Sequence, residues 1–253
     1  MKETVLEYLC KLSKESKARL TMHFAEEVEE ISILISQIIQ TLENYQKLNP
    51  VCDDNNPKQI AYGLMTKGAN TIMASFEIAL NGYFWEPPIL FRNALEQFAS
   101  AWDIVHNEAR FVIWKNKKGF SSTDSVTNVK RAIEPIGQMY GLLSKMYVHI
   151  SSINASPSCV LTDDEPKLQF FGFIRNGKEN IRAGKIYISI LITFICLQLT
   201  ELTFHQYSLG LETIEKIPGT DNVRTKVSER HRKFVNIALQ HFDTVVENPS
   251  VCF

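Results

Sequence analysis

The 253-residue chain is poor in the residues that interrupt regular structure, with 11 glycines and 9 prolines. Collagen-like chains and folds built from many hairpins need far more of both residues, so the composition argues against these classes. The chain also lacks an excess of either charge, because 27 Lys and Arg residues face 28 Asp and Glu residues. A protein that coats nucleic acid is usually strongly basic, and the formal net charge of -1 argues against that function.

Cysteine is scarce as well, and the five cysteines form no CxxC pair. Their wide spacing and odd number argue against a disulfide framework or a zinc knuckle. The residues from Met1 to Arg19 contain no apolar run followed by small residues, so they do not predict a signal peptide. We therefore expect a cytoplasmic protein that holds neither a metal nor a cofactor.

Hydrophobic residues make up 45% of the chain, and they recur at helical spacing. From Val28 to Tyr45, and again from Phe91 to Val112, they are separated alternately by three and four positions, which places them on one stripe of a helix. The same reasoning predicts a bundle of about six helices, with a possible kink at Pro135. They cover residues 1–48, 58–80, 87–118, 125–150, 181–217 and 223–246.

The segment from Ile186 to Leu199 is apolar on nearly all sides, which predicts a central helix surrounded by others. It is shorter than the roughly 20 apolar residues that a membrane span needs, so we expect no membrane insertion. The fold class that follows is all-α, with residues 1–253 as one domain. The Ser-, Pro- and Asp-rich loop at 151–167 is the one candidate boundary, and Leu168–Ile174 after it reads as a strand or an apolar strap.

Strong catalytic motifs are absent from the sequence. It contains no P-loop, GxGxxG, HExxH, GxSxG or EF-hand pattern. No Glu is followed by a His three residues later, which argues against a di-iron bundle.

Two weaker groups of polar residues accompany apolar stripes. Arg92 and Glu96 stand one helical turn apart, which indicates either a local ion pair or two charges projecting into an interhelical pocket. Tyr140 and Ser144 share a helix face and would line the same pocket. His149 continues an apolar stripe at a helix end, so it is either a hydrogen-bonded core residue or a group that transfers protons.

A third group pairs Arg224 with His231, about two helical turns apart on one face. An Arg can hold a phosphate while a His moves the proton, and the spacing resembles the Arg…His motif of HEPN-type ribonucleases. That resemblance implies a metal-free RNA-cleaving site formed by two protomers. Thr225 departs from the polar Asn, Asp or His that the family prefers after its Arg. The alternative is a plain basic surface formed by the cations of residues 224–233.

The segment LFRNALEQF, followed some fifty residues later by Y-x-x-L-S-x-x-x-x-H, resembles a broad set of uncharacterised bacterial helical proteins. The likeness covers about residues 60–150. Several members lie near mobile elements and defence loci, and some are grouped with HEPN-like bundles, so the resemblance implies a setting in antiviral defence. The matching residues are Arg92, Glu96, Tyr140, Leu143, Ser144 and His149.

Three functions remain open from the sequence. The first is a non-catalytic accessory protein of a defence or toxin–antitoxin-like system, which docks a partner through Phe84, Trp85 and the 168–174 segment. The second is a HEPN-like ribonuclease or RNA-binding toxin, which would use Arg224 with His231, or else Arg92, Glu96 and His149. The third is a bundle that binds a small ligand in the pocket described above. We expect a homodimer or a complex with a partner protein for the first two.

Overall fold

A computed structural model of the chain describes residues 4–49, 53, 55–83, 86–116, 119–133, 135–145, 159–161, 166–168, 179–205 and 216–229. These parts of the chain are almost entirely helical, which confirms the all-α class for them. The helices are α1 (Val5–His23), α2 (Ala25–Leu48), α3 (Pro57–Leu80), α4 (Glu86–His106), α5 (Glu108–Lys115), α6 (Ser122–Val129), α7 (Pro135–Leu143), α8 (Glu179–His205) and α9 (220–229).

The six predicted helical stretches appear as nine segments within the described residues, because three of them are each interrupted once. The breaks fall at Phe24, at Asn107 and at 130–133. Asn107 starts a new helix because its side chain accepts a hydrogen bond from the backbone N–H of Arg110. Pro135, predicted as a kink within one helix, instead begins α7.

The predicted boundaries of α3 are confirmed to within one residue, whereas the helix predicted at 181–217 ends before residue 216. Asn56 caps α3 and precedes a proline at its first turn, and Gly82 follows its end with φ 95°. Helix α8 is described from Glu179 to His205, residues 206–215 lie outside the described residues, and residues 216–217 have no helical conformation. The turn predicted at Pro218-Gly219 is present, with Gly219 at φ 89°.

A short antiparallel hairpin is the exception to the helical architecture in the described ranges. Strand β1 (Cys159–Leu161) pairs with β2 (Pro166–Leu168), with Cys159 opposite Leu168. The region expected to be an irregular loop therefore contains a hairpin. Residues 169–174, the rest of the predicted strand or strap, lie outside the described residues.

The core forms where α3, α4, α2 and α8 meet. Helix α4 packs closely along α3 and also contacts α8, while α8 lies against α2. From 189 to 200, every residue of α8 is buried or half-buried. Burial in this apolar environment raises the pKa of the Cys196 thiol well above its ordinary value, so the thiol stays protonated and unreactive. In the described part of the chain, no helix is long and apolar enough to cross a membrane.

Helix α9 is held against α2 by polar contacts at both ends. The buried Gln37 accepts hydrogen bonds from the Ile217 backbone N–H at 2.8 Å and from the Thr220 hydroxyl at 3.3 Å. Further along, Lys226 Nζ lies 2.6 Å from Glu26 Oε1. Because positions rise along α9 while they fall along α2, the two helices run antiparallel.

Candidate functional site

Three of the predicted pocket residues come together in the structure. Arg92 and Glu96 project from consecutive turns of α4, and α7 brings Tyr140 to them. Arg92 Nη2 lies 2.7 Å from Tyr140 Oη and 3.1 Å from Glu96 Oε1, and Tyr140 Oη lies 2.9 Å from Glu96 Oε1. We call these three residues the Arg–Glu–Tyr cluster.

The first turn of α6 adds two hydroxyl groups to this cluster. Ser122 donates a hydrogen bond to Glu96 Oε2 at 2.9 Å, and Thr123 Oγ1 lies 3.1 Å from Tyr140 Oη. The guanidinium carbon of Arg92 also lies 4.9 Å from the centre of the Tyr140 ring, within cation–π range. The cluster thus joins α4, α6 and α7, and its Arg92 and Glu96 side chains are 24% and 21% exposed.

The hydrogen bonds within the cluster occupy the Tyr140 phenol and the Glu96 carboxylate, whereas Arg92 contributes only its Nη2 and its buried Nε has no hydrogen-bond partner in the described structure. A phenol offers one donor and two lone pairs, and Tyr140 directs them at Glu96, Arg92 and Thr123. Both carboxylate oxygens of Glu96 already accept hydrogen bonds. A side chain that serves as a general acid or base must reach the substrate, so this Glu would first have to release its partners. The cluster therefore acts as a tie between helices, because its hydrogen bonds hold α4, α6 and α7 together.

Of the other predicted pocket residues, Ser144 makes no hydrogen bond to this cluster. Ser144 lies in the turn after α7, and its buried hydroxyl has no hydrogen-bond partner in the described structure. The predicted four-residue pocket is therefore only partly assembled. His149 lies outside the described residues.

The predicted phosphate-binding Arg224 forms an ion pair with Glu201 of α8. The two side chains are 25% and 31% exposed, so the pair is half-buried between α9 and α8. Together with Lys226, which contacts Glu26 of α2, two cations of the predicted basic surface lie in interhelical ion pairs. His231 and the rest of that surface, residues 230–233, lie outside the described residues.

The most deeply buried ion pair in the described ranges was missed by sequence reasoning. Arg110 Nε donates to Asp103 Oδ2 at 2.7 Å, and these residues are 8% and 1% exposed. Ser125 donates to the same carboxylate oxygen at 2.8 Å, and Asn128 donates to the other oxygen at 3.0 Å. Arg110 also donates to the Ser121 carbonyl oxygen at 2.6 Å. The network fastens α5 and α6 to α4.

The sequence contains one signal for this ion pair, the spacing of seven residues between Asp103 and Arg110. Two full helical turns would place these residues on one face, but the helix breaks at Asn107 between them. The pairing therefore depends on the new direction of α5. Among the described residues, no group of three or more His, Cys, Asp or Glu side chains is arranged to hold a metal ion.

The fold and its polar clusters define a helical bundle in which charged residues fasten one helix to another. No protein-family model, curated protein or solved structure matches the chain. The resemblance to HEPN-like bundles therefore stays a hypothesis based on the motif residues alone.

Replacing Tyr140 by Phe tests the Arg–Glu–Tyr cluster as a tie between helices. We expect the free energy of unfolding to fall by about 1 kcal/mol, because the variant removes a hydroxyl that makes three hydrogen bonds in a half-buried network. Urea denaturation measures this loss, and Tyr8→Phe is the matched control because Tyr8 is 49% exposed on α1. Equal stabilities for the two variants would show that the phenol does not fasten α7 to α4.

Proposed function

We propose that the chain is a non-catalytic helical module, with α8 as its central element, that acts by binding a protein partner. The observation that supports this proposal is the state of the two candidate catalytic arginines in the described structure. Arg92 is bound to Glu96, and Arg224 is bound to Glu201. In both cases the partner is a carboxylate of the same chain.

An arginine that holds RNA needs its donors directed at phosphate oxygens. Each carboxylate contacts Nη2 of its guanidinium, and its negative charge repels a phosphate that approaches the remaining N–H groups. For Arg224 to act in cleavage, the ion pair with Glu201 would have to open each time RNA binds. The same ion pair can hold α9 against α8 without any rearrangement.

The setting of this function comes from the resemblance described above, which implies a bacterial defence or toxin–antitoxin-like system. The partner that we propose first is a second copy of the chain, since symmetric dimers are the commonest assemblies of soluble proteins. In this role the chain would be an accessory or regulatory subunit, and its polar clusters would keep the bundle rigid while it binds.

An RNA-cleavage assay in the presence of a chelator tests the proposal against the ribonuclease alternative. We expect no cleavage by the wild-type protein or by Glu201→Gln, which releases Arg224 from its ion pair while keeping the side chain nearly the same size. Cleavage by the wild type that is lost in His231→Ala or His149→Ala would overturn the proposal and identify the catalytic histidine. Thermal melting of each variant confirms that it is folded, and sedimentation over a range of concentrations measures the dimer.

A further inference from the structure

We draw no further inference here: the strongest candidate, the exposed apolar patch that Val5, Leu6 and Tyr8 form on the first turn of α1, carries none because nothing in the described structure shows what covers it.

Discussion

Replacing Asp103 by Ala is expected to lower the free energy of unfolding by about 3–5 kcal/mol, the cost of breaking a buried ion pair by removing one partner. Arg110 would remain 8% exposed with its charge facing the space that the carboxylate occupied. Ser125 and Asn128 would lose the oxygens to which they donate. The exposed Asp124, 3.6 Å from Arg110, is too distant to replace a hydrogen-bonded carboxylate.

Urea denaturation measures this loss, and two further variants show where it comes from. Lys17→Ala, in an ion pair whose side chains are 46% and 52% exposed, should change stability by less than about 1 kcal/mol. The double variant Asp103→Leu with Arg110→Met should recover much of the loss, because it leaves no uncompensated charge in the core. A loss for Asp103→Ala as small as that for Lys17→Ala would mean that Arg110 turns out into water.

The local parts of this structure could be predicted from the sequence, because helical periodicity depends only on neighbouring residues. The apolar stripe of α2 and the start of α3, predicted at 58 and observed at Pro57, are examples. The contact between Arg92 and Glu96 is also local, since one helical turn separates them. Tyr140 reaches the same cluster from 44 residues away, and its shared role was predicted from a resemblance in motif rather than from a physical rule.

The parts that were missed depend on where a helix changes direction. A break at one residue, such as Asn107, is hard to recognise in the sequence, because the apolar residues keep their helical spacing on both sides of it. It nevertheless turns Arg110 towards Asp103 and creates the most buried ion pair in the described residues. The ion pair of Arg224 with Glu201 was missed for a related reason. It requires the chain to return along α2 after the turn at Pro218-Gly219, and the local pattern predicts that turn but not the direction of α9.

Gly68→Ala is expected to destabilise the protein by about 1–2 kcal/mol, although the same change usually strengthens a helix. Gly68 lies on α3 where that helix meets α4. A Cβ atom at this position would lie 2.5 Å and 2.7 Å from two ring carbons of Phe98, which is fully buried. The ring cannot swing into solvent, so either the helices must separate or the ring must leave its preferred rotamer, and both responses cost more than the gain in helix propensity.

Gly63→Ala is the matched control for this prediction, because Gly63 lies on the same helix with nothing within 4 Å of the added Cβ. It should stabilise the protein by about 0.5–1 kcal/mol, so the two Gly-to-Ala changes are expected to have opposite signs in urea denaturation. Combining Gly68→Ala with Phe98→Leu tests the cause, since the smaller side chain makes room for the methyl group. The loss of stability in the double variant should be smaller than the sum of the losses in the two single variants, because substitutions of neighbouring residues in one contact are not additive. Full additivity would show that Phe98 is not the neighbour that excludes a side chain at position 68.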